Sequence, residues 1–63
     1  MKGWWQQIMA EIYMRLVVTG RKKFSAVPKR LQDDVKEVAK DYIGKNVSGV
    51  LLTEELYNEL FGE

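Results

Sequence analysis

The first third of the chain carries apolar residues at helical spacing. They recur every three or four positions and are Trp5, Ile8, Met9, Ile12 and Leu16. This spacing predicts an amphipathic helix from Trp4 to Thr19, with the apolar stripe facing the core. Gly20 would end the helix, because glycine adopts the left-handed conformation without penalty. Segment 16–19 is rich in β-branched residues, which favour strands, so a short strand is the alternative for this segment.

A second helix is predicted to start near Ser25 or Pro28 and to end at Gly44. Ser25 is a good N-cap residue, and proline is tolerated in the first turn of a helix. The apolar stripe has spacings of three and four residues and consists of Val27, Leu31, Val35, Val38 and Tyr42. The segment from Gly44 to Gly49 is polar and is predicted to be a loop.

A third, short helix is predicted from Glu54 to Phe61, with Thr53 as its N-cap and Gly62 at its end. Leu56 and Leu60 form its apolar stripe. So short a helix is not stable alone in water, so it must pack on the other two. The pattern predicts one all-α domain over residues 1–63, in which two longer antiparallel helices are closed by a short C-terminal helix. The predicted core comprises Trp5, Ile8, Ile12, Leu16, Leu31, Val35, Val38, Tyr42, Leu56 and Leu60.

Composition limits the catalytic and metal-binding chemistry available to the chain, because the 63 residues include neither cysteine nor histidine. A disulfide, a Cys/His zinc site and a Ser-His-Asp or Cys-His catalytic group are therefore excluded. The acidic residues between Asp33 and Asp41 fit a solvated helix face. We expect a protein that is not an enzyme, with no catalytic residue, no cofactor and no metal site. Chains this short usually need a disulfide, a metal or a partner for stability, which leaves the partner.

The net charge of +1 hides an asymmetry between the two halves of the chain. Residues 1–30 carry seven basic side chains and one acidic one, whereas residues 31–63 carry three basic and eight acidic. The basic side chains include a candidate patch made of Arg21, Lys22, Lys23, Lys29 and Arg30. Such a patch can hold nucleic-acid phosphates. The alternative is that it compensates the helix dipole and pairs with the acidic half.

The first helix also has more apolar surface than one face can bury. A second apolar edge lies beside the predicted core stripe, and the candidate interface consists of Trp4, Trp5, Tyr13, Met14 and Val17. Tryptophan is enriched at protein-interface hot spots and also at membrane interfaces. This edge could therefore contact another protein, including a second copy of the chain, or it could contact a membrane surface.

Three segments resemble a known group of proteins. They are the aromatic opening from Trp4-Trp5 to Tyr13, the segment Phe24-Ser25-Ala26-Val27-Pro28, and the ending Thr53-Glu54-Glu55-Leu56-Tyr57 with Gly62-Glu63. In these the chain is similar to the very short proteins encoded among tail and lysis genes of phages and prophages of Gram-positive bacteria, the XkdX-like group and its relatives. The segment from Leu16 to Phe24, with Val27-Pro28, is similar to another short prophage family. The middle of the chain, 36–48, is longer than in the XkdX-like group.

The resemblance implies a phage-derived protein with no enzymatic activity, and it transfers no catalytic residue. We therefore expect a small structural or adaptor protein of a phage or prophage particle, in its tail region, that acts by protein–protein contact. Its partners would be further copies of itself or phage structural proteins, in the host bacterial cytoplasm or within the virion. One alternative is a small DNA-binding regulator that uses the loop from Arg21 to Lys23. A second is a membrane-peripheral lysis accessory protein.

Overall fold

A computed structural model describes residues 4–62 of the chain. In chain order these form helix α1 (Trp4–Val18), a 3₁₀ turn (Phe24–Ala26), helix α2 (Lys29–Asp41), strands β1 (Asn46–Val47) and β2 (Val50–Leu51), and helix α3 (Glu54–Phe61). The all-α fold is confirmed, since 66% of residues 4–62 are helical. Helices α1 and α2 pack on each other, and the short helix α3 packs on α2.

The end of α1 is a Schellman motif. Gly20 has φ +81°, its N–H donates to the Val17 carbonyl at 3.1 Å, and the Arg21 N–H donates to the Leu16 carbonyl at 2.9 Å. These two bonds satisfy carbonyls that the end of a helix otherwise leaves without partners. The prediction that Gly20 ends the helix is therefore confirmed. The β-branched residues before it remain helical as far as Val18.

Of the two predicted starts of α2, the one at Pro28 is confirmed and the one at Ser25 is not. Ser25 lies inside the 3₁₀ turn and does not cap α2, which begins at Lys29 after Pro28. Proline disfavours helical dihedrals in the residue before it, and Val27 is accordingly extended, with φ −74° and ψ 135°. The Gln32 amide donates to the Val27 carbonyl at 2.9 Å and ties the incoming chain to the first turn of α2.

The predicted polar loop contains a small antiparallel hairpin, in which β1 pairs with β2. Its turn residues Ser48 and Gly49 both have positive φ, at 49° and 87°, as a type I′ turn requires. The hairpin brings Val47 into the core, and Leu52, which follows β2, is also fully buried. The Gly44 N–H donates to the Leu52 carbonyl at 2.6 Å, which joins the end of α2 to this segment.

The core is built partly from residues that the sequence pattern did not select. Its buried members are Ala10, Met14, Val17, Val18, Val27, Leu31, Val35, Ala39, Val47, Leu52, Tyr57 and Phe61. The predictions for Leu31 and Val35 are confirmed. In α3 the buried pair is Tyr57 and Phe61, whose rings stack 5.4 Å apart, while Leu56 and Leu60 are half-buried. Leu56 and Leu60, the predicted stripe of α3, pack against the core, but the two aromatic side chains are buried more deeply.

The largest correction concerns the orientation of α1. Met14 and Val17, which were predicted to form an interface, are 0% and 2% exposed and lie in the core. Trp5, Ile8 and Ile12, which were predicted to face the core, are exposed. Since α1 carries apolar residues on more than one face, helical periodicity alone does not determine which face turns inward.

Candidate protein-interaction surface

Four large apolar side chains form one exposed surface on α1, called here the outer face. They are Trp4, Trp5, Ile8 and Ile12, with exposed fractions of 74%, 61%, 42% and 41%. At about 100° per residue, the isoleucines lie roughly opposite Ala10 and Met14 around the helix axis. One side of α1 therefore packs on the domain's own core, and the other side presents an apolar surface to solvent.

The two tryptophans mark the N-terminal end of the outer face. Their ring centroids are 6.4 Å apart and their planes are nearly perpendicular, at 89°. This is the edge-to-face arrangement that aromatic pairs favour. The pair therefore forms a broad apolar edge at the start of α1, made of two exposed indole rings.

Trp5 also borders a groove between α1 and the start of α2. The groove has a volume of about 430 Å³, and its lining includes Trp5, Met9, Tyr13 and Leu31. Tyr13 is half-buried, and the Lys22 ammonium lies 5.8 Å from the centroid of its ring. Of the residues predicted for the interface, Trp4 and Trp5 thus lie on the outer face, and Tyr13 lies in the adjoining groove.

One charged pair lies beside the outer face. The Arg15 guanidinium is 3.9 Å from the Glu11 carboxylate, one helical turn earlier. Both side chains are exposed to solvent, so the pair contributes little to stability. The pair places the positive charge of Arg15, partly balanced by Glu11, at the C-terminal end of the outer face.

Three of the five residues of the predicted basic patch line grooves. Arg21 lines a groove with Arg15 and Ser48, whereas Lys29 lines another with Phe24 and Glu59. Arg30 lines the groove beside Trp5. Lys22 is half-buried against Tyr13, and Lys23 is exposed before the 3₁₀ turn. Arg21, Lys29 and Arg30 therefore line three different grooves.

A shallow acidic groove lies where α1 meets α2. Its lining includes Gln7 and Ala10 from α1 together with Asp34, Glu37 and Asp41 from α2, around a volume of about 250 Å³. Within residues 4–62, no group of three or more metal-ligating side chains is placed to hold an ion. None of the helices in that range is long and apolar enough to cross a membrane.

Comparison of the chain with protein-family models, with curated proteins and with solved structures yields no match. The functional argument therefore depends on the surfaces of the domain itself, and the outer face of α1 is the most distinctive of them.

Proposed function

We propose that this chain is a small non-enzymatic structural or adaptor protein that acts by protein–protein contact through the outer face of α1. The observation that carries the proposal is the exposure of four large apolar side chains on the side of α1 away from the core. Scattered exposed hydrophobic residues are normal on a protein surface, but a continuous patch of large ones marks an interaction site.

The size of the patch supports the proposal. A fully exposed tryptophan presents up to about 250 Å², so the two tryptophans together expose roughly 340 Å². With the two isoleucines, the outer face reaches on the order of 450 Å². The largest apolar patch on a typical monomer is about 300–600 Å² and is often functional. The outer face falls in that range on a domain of only 63 residues.

The length of α1 favours a protein partner over a membrane span. A helix that is apolar on more than one face normally buries each of those faces, in a core, against a partner or in a bilayer. The 15 residues of α1 extend about 22 Å, whereas the hydrocarbon core of a bilayer is about 30 Å thick. A second protein surface against the outer face would complete the burial of this helix.

The tail region of a phage or prophage particle is the proposed setting, and it rests on the sequence resemblance alone. The two alternatives draw less support from the surface. A DNA-binding regulator needs basic side chains gathered on one face, and here Arg21, Lys29 and Arg30 line three different grooves. A membrane-peripheral protein would use the same tryptophans, so it is best separated by experiment.

Site-specific photo-crosslinking tests the proposal in the cells that make the protein. A photoreactive phenylalanine analogue would replace Ile8 in one variant and Leu51 in another. Leu51 is a matched control, because it is an exposed apolar residue on β2 and not on α1. We expect covalent protein adducts from position 8 and far fewer from position 51. An absence of protein adducts from position 8 would overturn the proposal.

Mass spectrometry of the adducts also tests the proposed setting. Tail proteins or further copies of this chain in the adducts would support a role in the particle. Adducts made only with host proteins unrelated to phage would refute the phage setting, while the interaction surface itself would stand.

A further inference from the structure

The outer face has the spacing of a helix-pairing seam. Trp5, Ile8, Ile12 and Arg15 follow one another at intervals of three, four and three residues. These are the intervals between a and d positions of a heptad, which form the contact line between paired helices. The exposed side of α1 therefore carries a short stripe suited to a second helix.

We infer that this second helix is α1 of another copy of the chain, packed antiparallel to the first across a two-fold axis. The inference rests on the proposed function, because it names the partner of the same surface. In this arrangement Ile8 of one copy packs against Ile12 of the other, and Trp5 lies opposite Arg15. The core packs against the opposite side of each α1, around Ala10 and Met14, and the outer face is left exposed to a second helix.

The position of Arg15 sets the direction of pairing. In a parallel pair the two copies of Arg15 would face each other at the same level of the seam, and like charges there are unfavourable. In the antiparallel pair each guanidinium instead meets the indole of Trp5 from the other copy, which is a favourable cation–π contact. Glu11, at 3.9 Å from Arg15 of its own chain, partly offsets the same charge.

The buried area fits a weak, reversible dimer. Two outer faces of about 450 Å² each, extended by Leu16 and the aliphatic part of Arg15, would bury roughly 1,000 Å² in total. That is about the smallest area at which specific protein interfaces form. The pairing also supplies the partner that a chain without disulfides needs, since the sequence has no cysteine.

Sedimentation equilibrium of the full chain, from micromolar to near-millimolar concentration, tests the dimer. We expect the apparent mass to rise from 7.4 kDa to twice that value across the series. Ile8→Lys should remain a monomer throughout, because it places two ammonium groups in the apolar seam. Leu51→Lys, an equally drastic change elsewhere, should dimerise like the unmodified chain. Circular dichroism checks that both variants keep their helices.

Disulfide trapping tests whether the two helices pair antiparallel. Because the chain has no cysteine of its own, only the introduced cysteines can form disulfides. Ile8→Cys protein, labelled with ¹⁵N, is mixed with unlabelled Ile12→Cys protein and oxidised slowly. With equal amounts of the two proteins, random pairing would make about half of the disulfides mixed. We expect disulfides that join a labelled to an unlabelled chain to make up clearly more than half. A majority of self-paired products from both variants would indicate parallel pairing and would overturn the inference.

The outcomes separate the two proposals. A chain that remains monomeric up to near-millimolar concentration overturns the dimer. If position 8 still crosslinks to another protein in cells, the proposed function stands with a different partner. A monomer whose tryptophan emission shifts to shorter wavelength with vesicles of anionic lipid, but not with neutral vesicles, overturns the dimer in favour of a membrane surface.

Discussion

Truncating Met14 distinguishes the observed orientation of α1 from the one that its sequence pattern favours. The Met14 side chain is fully buried, on the side of α1 that packs into the core. Met14→Ala removes this apolar volume and leaves a cavity that the surrounding side chains fill only in part. Ile12→Ala removes a similar volume from the outer face, where solvent replaces the lost methyl groups. The two variants should therefore differ widely in stability.

The size of the difference follows from burial. Truncation of a fully buried methionine costs about 2–5 kcal/mol. Ile12 is 41% exposed, and alanine has the higher helix propensity, so Ile12→Ala should cost no more than about 1 kcal/mol. A domain of this size is stable by only about 3–9 kcal/mol. Met14→Ala should thus remove a large part of the total and leave a marginal fold.

Urea denaturation followed by circular dichroism measures both effects. With an m-value of about 1 kcal/mol per molar urea, Met14→Ala should lower the midpoint by at least about 2 M. Ile12→Ala should lower it by about 1 M or less. The experiment belongs at low micromolar concentration, where the outer face is free of a partner. If Ile12→Ala proved more destabilising than Met14→Ala, the assignment of the inward face of α1 would be wrong.

Three further expectations concern the backbone and the environment of the surface. Gly49→Ala should cost about 1–2 kcal/mol, because Gly49 has φ +87°, a backbone conformation that is unfavourable for an L residue. The added Cβ meets nothing within 4 Å, so the cost comes from the backbone and not from a clash. D-alanine, which favours positive φ, should therefore restore the midpoint in a synthetic chain. Thr53→Ala should cost about 1 kcal/mol by removing the hydroxyl that accepts the Leu56 N–H at 3.1 Å, and Thr53→Ser should retain most of that stability in the same urea titration. Raising the salt concentration should leave the dimer constant measured by sedimentation nearly unchanged, because the seam is mainly apolar, whereas contact through a basic surface would weaken steeply.

The ends of the first and third helices could be predicted because their signals are local. Gly20 takes the left-handed conformation directly after α1, and Thr53 caps α3 through its own side chain. Each depends on a few neighbouring residues and on no distant contact. The start of α2 was less predictable, because Ser25 is a good cap in isolation but Pro28 and the 3₁₀ turn before it set the boundary.

The inward face of α1 could not be predicted, because the selection is made by tertiary packing. Ala10, Met14 and Val17 form one apolar side, and the tryptophans with Ile8 and Ile12 form another. The second side looks more hydrophobic in the sequence, and it is the one that remains exposed. The smaller side chains at positions 10, 14 and 17 allow α1 to pack closely in a small core, where two indole rings need more room.

The hairpin was missed for a different reason. Each strand has only two residues, which is too short to display the alternation of apolar and polar residues that identifies a strand. The available signal was the pair Ser48-Gly49 between Val47 and Val50, a two-residue connection flanked by β-branched residues. Ser48 nevertheless adopts a positive φ, which its residue type does not favour.

Intrinsic fluorescence tests the outer face most directly, because its two tryptophans are the only ones in the chain. In dilute solution we expect long-wavelength emission that acrylamide quenches readily, since both indoles are exposed. As the concentration rises, emission should move to shorter wavelength and quenching should weaken, while Ile8→Lys keeps the dilute behaviour at every concentration. Tryptophans already shielded in the dilute monomer, or exposed without change up to near-millimolar concentration, would contradict the assignment of this surface as the site of self-association.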